Sequence, residues 1–260
     1  MGILNITPDS FSDGGSYLSP DQAISRARRM VVEGACIIDI GGESTRPGAD
    51  PVAEQEELDR VIPVIEALSR EIDRPISIDT SKPAVMQAAV AAGAGMINDV
   101  FALQAPGALE KVASLEVPVC LMHMRGEPRS MQVMPEYQDV VIEVRDFLRE
   151  RTNACLDAGI PRERVLIDPG FGFGKILEHN LRLLKNLSQL RELKLPLLVG
   201  FSRKSMIGTI LNGAPVDERV FGSIAAAVLA VIEGAAILRV HDVKATIDAL
   251  KVVRAVQTIS

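Results

Sequence analysis

Tryptophan is absent from the 260 residues, and aromatic residues make up only 3% of them. That scarcity excludes the stacked aromatic platforms with which proteins grip single-stranded nucleic acid. Only three cysteines occur, Cys36, Cys120 and Cys155, scattered and without a spacing that suggests zinc. They cannot all pair, which points to a reduced, cytoplasmic setting. The first residues lack the basic and apolar regions of a signal peptide. The longest charge-free apolar run, 221–232, is about 12 residues and too short to span a bilayer. A net charge of −6 gives no general basic surface for nucleic acid or membrane. Any anion site must therefore come from a local cluster of basic side chains.

What is present is one alternation, repeated from end to end. Runs of β-formers at 2–4, 37–40, 76–78, 96–98, 119–122, 165–167, 197–199 and 237–240 are each followed by a polar turn and a stretch of helical period. The helical stretches fall at 21–33, 54–71, 83–92, 107–115, 140–158, 181–193, 217–233 and 243–256. Gly34, Gly93, Gly159 and Gly234 mark helix stops, and Pro75, Pro118 and Pro196 stand just before strands. Strands that each return through a helix are parallel, and eight of them close a barrel. The expected fold is α/β, a single (β/α)8 TIM barrel over residues 1–260, in preference to an open doubly wound sheet. Long loops rich in Gly, Pro and Ser follow the first, second and fifth strands, at 7–20, 41–53 and 125–137, and read as lids or binding loops.

In such barrels the site forms at the carboxyl ends of the strands. Read in order, those ends give Asn5, Asp39, Asp79, Asn98 with Asp99, His123, Asp168, the run Ser202, Arg203 and Lys204, then Arg239 and His241. Each alone could be a helix cap; the set, converging on one face, is a site. Asp79, Asn98 and Asp168 offer acceptors, with the amide also able to donate. Buried carboxylates repel one another unless a ligand places donors between them, as the N–H edge of a flat heterocycle would. Glycoside chemistry is the other use of paired carboxylates, but the aromatic residues for stacking a sugar are missing.

A cationic group follows the seventh and eighth strands, the recurrent phosphate position of this architecture. Ser202, Lys204, Arg239 and His241 would hold a phosphate or diphosphate there. Lys204 can also be read as a solvated first-turn lysine or as the amine of a Schiff base, and His241 as a cap. DPGFGFGK, from Asp168 to Lys175, is not a P-loop, because the first glycine is missing and Ile176 follows the lysine. Its glycines let backbone close on a flat ligand, with Phe173 as one wall. His123 reads as a packed strand-end residue or a catalyst, and His179 as an exposed residue at a helix start.

Together these segments resemble the dihydropteroate synthase family. The resemblance runs through NITPDSFSDGG from Asn5, DIGGESTRPG from Asp39, IDTSK from Ile78, IND from Ile97, MHM from Met122, DPGFGFGK from Asp168, SRKSM from Ser202 and RVHD from Arg239. It covers nearly the whole chain in order, although the family usually carries a short extension before the first strand. The resemblance implies a (β/α)8 barrel and a homodimer. It also implies a transferase that joins 6-hydroxymethyl-7,8-dihydropterin diphosphate to 4-aminobenzoate, giving 7,8-dihydropteroate and diphosphate, with Mg2+. By position it implies that Asp79, Asn98, Asp168 and Lys204 grip the pterin, and that Arg239 and His241 hold the diphosphate with Thr45 and Arg46. Asn5 would ligate Mg2+, and Phe11, Pro47 and Ser202 would form the aminobenzoate pocket. Asp39 would support the site. A pterin-binding methyltransferase of the corrinoid type would not need the cationic cluster, and a non-catalytic pterin binder should have lost part of it.

Overall fold

The computed structural model describes residues 1–7, 19–45, 48–126, 131 and 135–259. Strand β1 (Gly2–Asn5) leads to α1 (Pro20–Glu33), β2 (Ile38–Gly41) to α2 (Glu54–Glu71), and β3 (Ile76–Asp79) to α3 (Pro83–Ala92). The alternation continues with β4 (Met96–Asp99), α4 (Ala108–Leu115), β5 (Val119–Met122), α5 (Val140–Asp157), β6 (Val165–Asp168) and α6 (Leu177–Lys185). It ends with β7 (Leu198–Val199), α7 (Ser205–Ile210), α8 (Val220–Ile232), β8 (Ile237–Leu238) and α9 (Val243–Gln257).

Strands β1 to β6 pair in sequence order, all parallel, and β7 pairs with β8. Two bridges join these sheets, Ile167 with Leu197 and Gly2 with Val240. The second seam is held by Ile3 N–H donating to Val240 O at 2.9 Å. The ring of eight strands is thus closed, and the barrel expected from the alternation is the one formed.

Side chains alternate in and out along each strand. Ile38, Ile40, Ile76, Ile78, Ile97, Leu121 and Ile167 point outward into the large core shared with the helices. Inward-facing Met96, Cys120, Leu166 and Leu198 make a small separate cluster. One inward step further, β4, β5 and β6 carry Asn98, Met122 and Asp168, and Asp79 ends the neighbouring β3 beside Asn98. The interior therefore changes from apolar to polar toward the carboxyl ends. The same alternation sends Asp99 outward, where it is fully buried and accepts from Phe101 N at 2.8 Å and Leu103 N at 2.7 Å. Asp99 is a turn residue, not part of the mouth.

Local chemistry sets the element ends. Ser19 and Gln22 form a reciprocal capping box at α1, and Gly34, at φ 108°, ends it with its N–H on Met30 O and Val31 O. Two helical expectations need correction, and one helix is additional. The stretch expected at 181–193 divides into α6 and a 3-10 segment at Leu187–Leu193. Asn186 separates them, at φ −115°, with its side-chain amide on Arg182 O at 2.8 Å. The helix expected from 217 begins as a 3-10 turn, Val216–Arg219, before α8. Helix α7 was not expected, since six residues are too few to display a helical period. No helix among the described residues is long and apolar enough to cross a membrane.

Candidate active site

The carboxyl ends of the strands open into a cavity of ≈ 1190 Å³. Asn5, Thr45, Asp79, Asn98, Asp168, Phe173, Ser202, Lys204, Arg239 and His241 all line it. Phe11, Arg46 and Pro47 lie outside the described residues, as does much of the loops expected to form lids.

The floor is built by register. Asp79 and Asn98 are direct cross-strand partners on β3 and β4, and Asp168 ends β6 beside Met122 of β5. All three side chains are buried. Burial pushes the Asp79 carboxyl up to about 7, against the pull of Arg239. Burial also raises Asp168, against the pull of Lys204. One oxygen of Asp168 accepts from Gly170 N at 2.7 Å, which fixes the carboxylate to the loop that follows it.

Arg239 changes the picture of two separate charge groups. Its Nε donates to Asp39 Oδ2 and its Nη2 to Asp79 Oδ2, each at 2.6 Å. Burial works against its charge, but the two carboxylates outweigh it and hold its pKa above the usual value. Arg239 therefore sits among the acidic groups and not on the rim. Sequence separates these residues by 160 or more positions; only the closing of β8 onto β1 brings them together. Asp39 is fully buried beneath Arg239, and its Oδ1 has no hydrogen-bond partner among the described residues.

Lys204, at the start of α7, also turns inward. Its Nζ donates to Phe171 O and lies 4.6 Å from the centre of the Phe173 ring. Burial pulls its pKa down to about 8, opposed by Asp168. The solvated-lysine reading is thereby set aside. Ser202 Oγ accepts from His241 N at 3.1 Å and lies 2.9 Å from His241 Nδ1, which ties the loops after β7 and β8 to each other.

Several lining groups escaped the reading of strand ends. Arg26 and Arg29 of α1 reach the cavity, with Arg26 Nη2 donating to His241 O at 3.0 Å. Arg219, also missed, completes a basic rim with Arg203, which the strand-end reading did include and which pairs with Asp242 at 2.6 Å. In sequence the α1 arginines look like any solvated helix face; their three-residue spacing is the one available signal. His123 is buried, edge-on to Phe147 at 4.9 Å, as a packed strand-end residue. His179 is half-buried against Tyr137 at 4.8 Å and not exposed as expected.

An acidic floor for an N–H edge, an aromatic wall and a basic rim inside one barrel mouth define a site for a flat heterocycle joined to an anion. The pterin binding enzyme family matches residues 1–241, and the chain belongs to it. Within that class, dihydropteroate synthase of Haemophilus influenzae is 56% identical over 252 residues, covering 97% of this chain and 91% of the relative. Among solved structures, the Yersinia pestis dihydropteroate synthase with a sulfonamide drug superposes at TM-score 0.96 with 55% identity, over 99% of this chain and 94% of that one. The Xanthomonas albilineans dihydropteroate synthase with 4-aminobenzoic acid gives TM-score 0.94 at 56% identity, over 100% and 93%. The chain is a member of the dihydropteroate synthases, which are transferases.

Proposed function

We propose that this chain condenses 6-hydroxymethyl-7,8-dihydropterin diphosphate with 4-aminobenzoate, giving 7,8-dihydropteroate and diphosphate. The observation that carries the assignment of residues is the meeting of Asp79, Asn98 and Asp168 with Lys204 and Arg239 in one cavity. The N–H edge of the pterin is accepted by Asp79, Asn98 and Asp168, with Phe173 as wall and Lys204 beside it. Arg239 uses two of the five N–H donors of a guanidinium on carboxylates, so three remain for the diphosphate. His241, Thr45 and Arg46 join it there. Phe11, Pro47 and Ser202 seat the 4-aminobenzoate.

In the reaction the methylene C–O bond breaks with its electron pair going to the diphosphate, whose growing charge meets Arg239 and His241. The amine lone pair of 4-aminobenzoate forms the new C–N bond and then sheds its proton. Asp79 and Asp168, as anions beside the pterin, favour positive charge on the ring. No strong general base is needed, because the amine attacks neutral.

Among the described residues no group of three His, Cys, Asp or Glu could hold a metal ion. The mouth offers Asn5, one neutral amide half-buried at the end of β1. A single neutral oxygen fits Mg2+ that keeps its water and the diphosphate as its main ligands. When bound, that ion supplies further neutralisation of the leaving group.

Residues 1–260 serve as one catalytic domain working in the cytoplasm, a reading supported by three cysteines that are all unpaired. The chain acts as a homodimer, supported by the exposed apolar face of α8, where Phe221 is 85% and Ile232 59% exposed. The site assignment is tested by Asp79→Ala. Losing two charge-assisted hydrogen bonds to the pterin, at about 1.5–3 kcal/mol each, lowers kcat/KM by about 10²–10⁴-fold. The barrel still folds, because Arg239 keeps Asp39. Wild-type kcat/KM in that variant overturns the assignment.

A further inference from the structure

Lys175 is 2% exposed, yet no carboxylate forms an ion pair with it among the described residues. Its Nζ lies 2.9 Å from His123 Nδ1, 2.9 Å from Gly170 O and 3.0 Å from Phe173 O. Burying an ammonium without an anion costs several kcal/mol, and an apolar side chain would fill the place without that cost. Stability alone does not account for a lysine here.

The segment it grips carries Gly170, Gly172 and Gly174 at φ 67°, 83° and 61°. Backbone of that kind has much freedom to lose and needs ties to hold one shape. Asp168 holds Gly170 N at 2.7 Å, Asn180 holds Gly172 N at 2.7 Å, and Tyr137 donates to Gly174 O at 2.9 Å. Lys175 alone among these ties holds two carbonyls of the turn to each other and to the end of β5. The same turn presents the Phe171 carbonyl and the Phe173 ring, the two groups that meet the Lys204 ammonium.

We infer that Lys175 is a positioning residue for the pterin side of the site, acting through His123 and the 170–173 turn to set Phe173 and Lys204. A fourth contact, to His123 O, is longer at 3.4 Å. The three shorter ones suit a nitrogen in either protonation state: an ammonium donates to all three, and a neutral amine donates to the two carbonyls and accepts from Nδ1–H. Burial lowers the Lys175 pKa strongly and holds His123 at about 2, so the imidazole is neutral beside it. The inference rests on the proposed pterin reading and adds a residue that touches no substrate.

The test is steady-state kinetics of Lys175→Met with each substrate varied in turn. A loosened turn weakens pterin contacts made before and during reaction alike, so KM for the dihydropterin diphosphate rises about ten-fold or more with kcat nearly kept. KM for 4-aminobenzoate stays within about two-fold. A merely structural lysine lowers the folded fraction and moves neither KM. Should Lys175→Met not fold, His123→Asn and His123→Leu decide, since asparagine restores a polar atom near Nδ1 and leucine does not. The leucine variant then shows the raised pterin KM and the asparagine variant does not. An unchanged pterin KM in folded Lys175→Met, equal rises in both KM values, or equal pterin KM in the two His123 variants overturns the inference. Absence of turnover in the wild-type chain would instead defeat the proposed reaction itself.

Discussion

Replacing Arg239 by leucine strands two carboxylates in the barrel interior. Asp39 is fully buried and Asp79 is 8% exposed, and each receives an Arg239 hydrogen bond at 2.6 Å. Removing one partner of a buried ion pair costs about 3–5 kcal/mol. For a domain of this size that lowers Tm by roughly 6–20 °C. The pH dependence follows from Asp79. Burial already raises its carboxyl to about 7 with Arg239 opposing, so loss of the guanidinium raises it further. A carboxylate with a raised folded pKa binds more protons folded than unfolded, so its unfavourable effect grows as pH rises from the unfolded value. Wild type shares that effect up to about 7, so the extra loss in Arg239→Leu develops above about pH 7 and is larger at about pH 8 than at about pH 5. Adding Asp39→Asn removes one stranded charge and restores part of the lost Tm. Scanning calorimetry across that pH range measures all of this. An Arg239→Leu Tm within about 2 °C of wild type at pH 8 refutes the electrostatic reasoning.

Two further outcomes are expected. With Lys204 held at about 8, its ammonium is lost as pH rises through that value, so kcat/KM for the dihydropterin diphosphate falls on the alkaline side; a pH profile of Lys204→Met should be low and lack that limb. A Cβ on Gly170 would stand 1.9 Å from His123 O at a φ of 67°, so Gly170→Ala should cost about 2–4 kcal/mol in denaturant unfolding. An unfolding midpoint equal to wild type contradicts the packing of that turn.

The alternation of short apolar runs with helical stretches was enough to read the barrel, because parallel strands buried on both faces leave a strong periodic signature. The mouth residues were legible for a related reason: Asn5, Asp79, Asn98, Asp168 and Arg239 all sit at the carboxyl ends of their strands. What sequence could not display was their pairing. Arg239 reads as a rim cation, and only ring closure places it on Asp39 and Asp79. Arg26 and Arg29 were hidden for the opposite reason, since a helix arginine facing a cavity has the same spacing as one facing water. Lys175 carries no sequence signal once its segment is excluded as a P-loop. Its role is set by carbonyls of its own turn and by His123, 52 residues away, which no local pattern reports.

The most direct measurement mixes the purified chain with 6-hydroxymethyl-7,8-dihydropterin diphosphate and 4-aminobenzoate and follows both products. The expected result is diphosphate released in step with 7,8-dihydropteroate, and little release when 4-aminobenzoate is left out. Tight binding of the pterin with neither diphosphate nor dihydropteroate appearing would contradict the account.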